Sequence, residues 1–128
     1  MEIVLDTNFI LTCAKQGIDF VSLTNKLIDE GIVWVVPQDV LNELGYLKDS
    51  SEIGYKDREA ARLGFEILQA IDVQVIELKG KNPNVDIKIV NYLLDNKRAV
   101  LATLDKDLKK RVKNKILGIK GKSGLVLI

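Results

Sequence analysis

Acidic side chains recur at four places where a short apolar segment ends and a helical pattern begins. The four residues are Asp6, Glu43, Asp86 and Asp105. One such acid on its own is most simply a helix cap, because a carboxylate accepts hydrogen bonds from the free N–H groups of a first helical turn. Four acids at successive junctions are hard to attribute to capping alone. The pattern therefore predicts a shared acidic site.

Four converging carboxylates would repel one another and take up protons unless a cation neutralised them. A divalent ion with oxygen ligands is the simplest solution, and Mg²⁺ or Mn²⁺ suits such a set. A centre of this kind activates water as a nucleophile and stabilises charge on a phosphodiester. Thr103 and Asn8 are small polar neighbours suited to hydrogen-bond the acids or a metal-bound water. For Thr103 the simpler alternative is an ordinary β-branched strand residue.

The chain of 128 residues contains no histidine and a single cysteine. The absence of histidine excludes Ser-His-Asp and Cys-His catalysis, histidine acid–base chemistry and the usual zinc sites. Cys13 permits no internal disulfide, and its apolar helical surroundings favour a small core residue over a reactive thiol. Any bound metal is therefore expected to have mainly oxygen ligands.

Length and composition predict one globular domain over residues 1–128. A hydrophobic content of 47% with 29% charged residues is typical of folded soluble proteins. No apolar run approaches the roughly 20 residues of a membrane span, and the first strand lacks a signal-peptide pattern. These features predict a cytoplasmic protein.

Basic residues are concentrated near the end of the chain. Between Lys106 and Lys122, eight basic residues are opposed by Asp107 alone, which leaves a net charge of +7 there and −6 elsewhere. Such a segment can bind a polyanion, although a solvated helix face would produce the same pattern.

The elements that would position the acids alternate between strand and helix. Apolar runs predict strands at about 2–6, 32–36, 73–78, 99–103, 116–119 and 125–128. Helical periodicity covers about 8–30 (with a break near Gly17 and an end at Gly31), 38–48, 55–71 and 86–96, followed by a short basic helix after Asp105. Alternation of this kind predicts a three-layer α/β/α sandwich with a mainly parallel sheet. Sites in such folds form at the carboxyl ends of the strands, where the four acids are expected.

Taken together, these short motifs resemble a PIN domain over essentially the whole chain. The matching segments are Leu5-Asp6-Thr7-Asn8, Val36-Pro37 with Val40 to Leu44, Asp86 at the head of a helix, and Ala102 to Leu108. The resemblance implies a Rossmann-like fold and a Mg²⁺- or Mn²⁺-dependent ribonuclease. It implies metal ligation by Asp6, Glu43, Asp86 and Asp105, with Thr103 as the hydroxyl residue before the last acid and Asn8 as the polar residue after the first.

Two positions depart from the family pattern. Leu104 stands where many members have a polar residue, and hydrophobic residues flank Asp86 where many members have a second acid. Both departures leave open whether the site binds one metal ion or two. Asp107 is interpreted as a helix N-terminal charge rather than a fifth ligand.

An acidic centre repels RNA, so the phosphate contacts must come from its surroundings. The expected RNA-binding residues are Lys106, Lys109, Lys110, Arg111 and Lys113. Aromatic residues are too scattered to predict a base-stacking surface. The partners implied are single-stranded or structured RNA, an antitoxin or ribosome-assembly protein, and a second copy of the chain in a homodimer.

The resulting prediction is an endoribonuclease that hydrolyses RNA through a metal-activated water held by four carboxylates. A non-catalytic PIN domain that binds RNA or protein is the first alternative. An aspartyl-nucleophile phosphatase is the second, disfavoured because Asn8 stands where that class has another aspartate. Within the family, the Lys-rich end favours a role in ribosomal RNA processing over that of a toxin.

Overall fold

A computed structural model describes all residues, 1–128, and contains six strands and six helices that largely alternate. In chain order these are β1 (Glu2–Leu5), α1 (Thr7–Gln16), α2 (Phe20–Leu27), β2 (Val33–Pro37), α3 (Gln38–Asp49), α4 (Tyr55–Ala70), β3 (Val73–Ile76), α5 (Val85–Asp95), β4 (Val100–Ala102), α6 (Lys106–Lys110), β5 (Ile116–Lys120) and β6 (Gly124–Leu127). None of the helices is long and apolar enough to cross a membrane.

All six strands form one sheet in the order β3-β2-β1-β4-β5-β6. The first five in this order are parallel, and β6 runs antiparallel to β5. β1 lies between β2 and β4, with Ile3 opposite Trp34 on one side and Val100 on the other. The chain adds strands first on one side of β1 and then on the other, which creates a switch point where β1 meets β4.

Two apolar cores cover the opposite faces of the sheet. Successive strand residues point to opposite faces, so Ile3 and Leu5 of β1 join one core while Val4 joins the other. Helices α1 to α4 contribute to the first core, and α5 and α6 to the second. This arrangement confirms the predicted three-layer α/β/α sandwich with a mainly parallel sheet.

The largest difference from the sequence-based elements lies between β1 and β2. The expected break near Gly17 divides the helical pattern over 8–30 into two helices, because Gly17 adopts a left-handed conformation (φ 67°) that ends α1. The expectation that Gly31 ends the second helix was wrong. α2 ends at Leu27, where Ile28 becomes extended while its N–H still bonds the Thr24 carbonyl.

Two strand boundaries also differ from expectation. β2 runs from Val33 to Pro37, one residue later at each end than the predicted strand over 32–36, and Pro37 directly precedes α3. β3 is shorter than predicted and ends at Ile76. Leu78 has left the strand and is buried in the second core, which explains why the apolar pattern extended past the strand.

Candidate active site

Asp6 directly follows β1 and occupies the switch point of the sheet. Its backbone N–H donates to the Ala102 carbonyl of β4 at 3.1 Å, so the strand pairing continues up to this residue. Its Oδ1 accepts a hydrogen bond from the backbone N–H of Thr7 at 2.9 Å and caps α1. Only 8% of the residue is exposed. Asp6 is thus both a helix cap and a nearly buried carboxylate at the carboxyl edge of the sheet.

Thr103 connects the first acid to the last. Its side chain is fully buried, and its hydroxyl donates to Oδ2 of Asp6 at 2.7 Å. The hydroxyl oxygen of Thr103 also accepts a hydrogen bond from the backbone N–H of Asp105 at 3.2 Å. One hydroxyl therefore fixes Asp6 and the start of the segment that carries Asp105.

Asn8 supports the loop after β4 rather than any acid directly. Its Oδ1 accepts the backbone N–H of Leu104 at 3.3 Å and lies 3.5 Å from Oγ1 of Thr103. The Thr103 hydroxyl has a single proton, and its shorter contact is to Asp6. Asn8 therefore holds the backbone beside the acids.

Glu43 reaches the site from the second turn of α3. Its side chain is exposed, and Oε2 accepts the Thr7 hydroxyl at 2.9 Å. Thr7 therefore serves two acids, through its backbone N–H for Asp6 and its hydroxyl for Glu43. In the sequence, Thr7 stood only within the motif Leu5-Asp6-Thr7-Asn8, with no role of its own. Its bond to Glu43 joins residues 36 positions apart and has no local sequence signal.

Asp86 and Asp105 lie at the starts of α5 and α6, but only Asp105 caps its helix. Oδ1 of Asp105 caps α6 by accepting the backbone N–H groups of Asp107 and Leu108 at 2.9 and 3.1 Å. Asp86 caps nothing, because Asn84 is the cap of α5 and accepts the Asp86 N–H at 2.9 Å. Both carboxylates are partly exposed. The side chain of Asp86 is thus free for another role.

Electrostatic interactions connect the four acids. Burial raises the pKa of Asp6, hydrogen bonds from Thr103 and Thr7 oppose that rise, and the charges of Asp86 and Glu43 add to it. Burial also raises the pKa of Asp86, and the charge of Asp105 raises it further. These shifts link all four acids into one repulsive cluster.

The cluster has no ion-pair partner. None of the five ion pairs of the protein involves Asp6, Glu43, Asp86 or Asp105. No three acidic side chains lie close enough to hold one metal ion together. The acids are therefore neighbours without forming a closed ligand cage.

The predicted RNA-binding residues follow the site along the chain. Lys106, Lys109 and Lys110 lie on α6, which begins directly after Asp105, and Arg111 and Lys113 follow it. All except the half-buried Lys109 are exposed. The charge of Arg111 lowers the pKa of Asp86. Asp107 is exposed in the first turn of α6, as expected of a helix N-terminal charge.

An ion pair that the sequence did not indicate crosses the same edge of the sheet. Nζ of Lys88 on α5 lies 2.5 Å from Oδ2 of Asp39 on α3, and the two side chains are 14% and 24% exposed. The helices cover opposite faces of the sheet and also carry Asp86 and Glu43. The pair therefore ties together the two layers that carry these acids, and its sequence separation of 49 explains why no local pattern revealed it.

A parallel sheet that gathers acids at its switch point defines an α/β protein with an acidic site. The family model for the PIN like domain matches residues 3–120. The chain belongs to this family, as its motifs predicted. No curated protein sequence matches the chain.

Solved structures of other proteins share this fold. The PIN domain endonuclease Utp24 superposes with a TM-score of 0.79 at 23% identity, covering 98% of this chain and 90% of the other. VapBC2 from Rickettsia felis, solved bound to a DNA fragment from its promoter, superposes with a TM-score of 0.65 at 16% identity. The match covers 94% of this chain and 100% of the other. A domain of a functionally unknown protein from Methanocaldococcus jannaschii DSM 2661 superposes with a TM-score of 0.57 at 18% identity. The match covers 99% of this chain and 96% of the other.

Proposed function

We propose that this protein is a divalent-metal-dependent endoribonuclease that hydrolyses RNA phosphodiester bonds at the acidic site. The observation that carries the proposal is the set of four coupled carboxylates at the switch point, with no cation of the protein paired to them. Keeping like charges together raises the free energy of the folded protein unless a ligand compensates. An arrangement that costs stability in this way is typical of a functional site.

The donor set fits Mg²⁺ or Mn²⁺, and Asp6, Glu43, Asp86 and Asp105 would hold the ion or ions. All four offer hard carboxylate oxygens. The lack of a three-acid cage is compatible with Mg²⁺, which keeps several waters and is usually bound through one or two carboxylates. The chemistry that such an ion supplies when bound is activation of water and stabilisation of charge on the phosphate.

The protein prepares Asp6 for this role through two hydrogen bonds. Thr7 and Thr103 each donate to a different oxygen of Asp6, and each oxygen retains a further lone pair. Both bonds favour the ionised carboxylate and so oppose the effect of burial on its pKa. Thr103 therefore favours the anionic form of Asp6 and fixes the direction of its carboxylate, both of which suit a metal ligand.

The basic residues after Asp105 supply attraction for a polyanion that the acids would repel. Arg111 lies near enough to Asp86 to lower the pKa of that carboxyl, so it is the cation best placed to bind a phosphate beside the acids. The lysines of α6 extend this positive charge along the surface. RNA would thus be held by phosphate contacts next to the acidic site.

The test is cleavage of a labelled RNA with Mg²⁺ or Mn²⁺, with and without EDTA. Asp6→Asn and Asp105→Asn each remove one charge from the site and are expected to lower the rate by at least about 100-fold. Asp95→Asn provides the matched control, because Asp95 is an exposed acid at the far end of α5. Cleavage that persists unchanged in both site variants would contradict the proposal. RNA binding without cleavage by the unmodified protein would favour a non-catalytic PIN domain.

A further inference from the structure

A second charged feature lies at the opposite edge of the sheet, where the strands begin. It is a groove of about 820 Å³ whose lining includes Lys97 and Arg98, from the turn before β4, and Lys115, just before β5. Glu2 at the start of β1 and Glu30 before β2 also line it. This amino-edge groove is separate from the four acids, which lie at the carboxyl edge.

Hydrogen bonds to the backbone hold the cationic rim of the groove in place. Nδ2 of Asn114 donates to the carbonyls of Asn96 and Ala99 at 3.0 and 2.8 Å, which joins the turn before β4 to the segment before β5. The carbonyl of Lys115 accepts the Leu101 N–H at 3.0 Å. The backbones that carry the three cations are therefore fixed relative to one another.

The groove has a surplus of positive charge. Lys97, Arg98 and Lys115 are exposed and take part in no ion pair of the protein. Both acids of the lining already have partners. Glu2 accepts the Tyr92 hydroxyl at 3.0 Å, and Glu30 lies 3.4 Å from the amino group of Met1. The three cations are thus available to an anionic ligand.

The basic segment connects this groove to the acidic site. From Asp105 at the carboxyl edge the chain runs through α6 to Lys115 at the amino edge, with Leu108, Val112 and Ile116 packed on the second core. β1 spans the same two edges, and from Glu2 to Asp6 it covers roughly 13 Å at about 3.3 Å per residue. Positive charge therefore continues across one face of the molecule over a distance that a short single strand can cover.

We propose that the amino-edge groove binds the phosphate backbone of an RNA strand beyond the point where it is cut. The inference rests on the proposed function, because the same RNA strand would reach the acidic site along the basic segment. None of the residues that line the groove is aromatic, so the contacts are to phosphates rather than stacked bases. The groove would thus extend the substrate footprint without adding sequence preference.

The test compares two variants that lose the same charge. One is Lys97→Ala/Arg98→Ala/Lys115→Ala, and the control is Lys26→Ala/Lys56→Ala/Arg62→Ala, which removes three exposed cations outside the basic segment. Binding of a labelled 30-nucleotide RNA is followed by fluorescence anisotropy in EDTA over a salt series. The groove variant is expected to bind at least about 10-fold more weakly, and its log–log salt slope to fall by about 2, since each phosphate contact contributes about 0.7 for single strands.

Equal weakening in both variants would overturn the proposal, because it would show a general effect of charge. Unchanged affinity in the groove variant would also overturn it and favour a protein partner for the groove. If the triple variant unfolds, Arg98→Gln and Lys115→Gln provide milder tests with at least a threefold loss expected for the pair. Asn114→Ala keeps every charge and is expected to weaken binding by a smaller factor through loss of positioning.

Cleavage of long and short RNA separates this inference from the proposed function. With Mg²⁺ or Mn²⁺, the groove variant is expected to cleave the 30-nucleotide RNA more slowly at subsaturating concentrations, but to cleave a four-nucleotide substrate as fast as the unmodified protein. Equal slowing of both substrates would contradict the inference. If the unmodified protein cleaves neither RNA, the proposed function fails, and the binding measurement in EDTA still decides whether the groove binds RNA.

Discussion

The two edges of the sheet hold charge in opposite ways. At the carboxyl edge, hydrogen bonds end on the charged atoms themselves, as in Thr103 to Asp6 and Thr7 to Glu43. At the amino edge, the bonds from Asn114 end on backbone carbonyls, and the charged ends of Lys97 and Arg98 remain free. Three of the four acids, Asp6, Glu43 and Asp105, are held by bonds to their carboxylate oxygens, whereas the cations are fixed only at their backbones.

This difference matches the ligands proposed for the two edges. A small divalent ion requires oxygens at defined positions, and Mg²⁺ tolerates little distortion of its geometry. An RNA strand is a flexible chain of charges, which long mobile cations can follow while they release counterions. The carboxyl edge is thus suited to chemistry, and the amino edge is suited to holding the RNA strand.

Substitutions that conserve charge should divide the two edges most clearly. Asp6→Glu keeps the charge but moves both oxygens away from Thr7 and Thr103, so RNA cleavage is expected to fall by about 100-fold. Lys97→Arg with Lys115→Arg keeps charge on mobile side chains and should change RNA affinity by less than about twofold. Cleavage rates and anisotropy measure the two effects. Similar tolerance at both edges would remove the distinction between them.

The hydroxyl of Thr103 allows a test of one hydrogen-bonding group at the carboxyl edge. Thr103→Val keeps the shape but removes the donor to Asp6 and the acceptor for Asp105, so cleavage should fall by about 10–100-fold. The pKa of Asp6 should rise further, because the bond that opposes burial is lost. The acid limb of the pH–rate profile should therefore move to higher pH.

Thr103→Ser retains the hydroxyl and is expected to restore most of the rate and the original pH profile. A profile that stays in place in Thr103→Val, with only a lower maximum, would indicate that Thr103 contributes packing alone.

The fold was predictable because the strands lie between two helical layers. Strands covered on both faces must be apolar at nearly every position, so β1 and β2 are visible as short continuous runs. The acid after β1 and the acid after β4 were then placed by topology, since parallel strands present their carboxyl ends at the same edge. Asp6 and Asp105 do lie beside one residue, Thr103, which bonds to both.

Contacts between distant helices were beyond the reach of local patterns. The bonds of Thr7 to Glu43 and of Lys88 to Asp39 depend on how α1, α3 and α5 are placed by the crossovers. The amino-edge groove was missed for the same reason. Lys115 belonged to the predicted basic segment, but only the folded chain and Asn114 place it beside Arg98. The metal-binding and catalytic roles of the four acids remain predictions that cleavage must test.

The smallest expected effect is on the stability of the metal-free protein, and it measures the difference between the edges most directly. The pKa of Asp6 is raised in the folded protein above its ordinary value of 3.8. A raised carboxyl pKa contributes stability below the unfolded value, and that stability is lost as the pH rises through the folded value. At neutral pH without metal, ionised Asp6 therefore weakens folding.

Asp6→Asn should accordingly stabilise the metal-free protein at pH 7 while it abolishes cleavage. Asparagine caps a helix about as well as aspartate and carries no charge to be buried. We expect a gain of about 1 kcal/mol, which raises Tm by roughly 2–6 °C in a chain of this size. The gain should disappear below about pH 4, where both side chains are neutral. Thermal melts in EDTA at pH 4 and 7 measure it.

Added Mg²⁺ or Mn²⁺ should reverse the order of the two proteins. An ion at 100 times its dissociation constant stabilises the folded state by about 2.7 kcal/mol, and Asp6→Asn should lose most of this increment. Lys115→Gln is the corresponding change at the amino edge, and it should leave the response of Tm to metal intact because it lies far from the four acids. If Asp6→Asn melts below the unmodified protein at pH 7 in EDTA, the hydrogen bonds to Asp6 outweigh its burial and repulsion, and the acidic edge is not destabilised by its own charge.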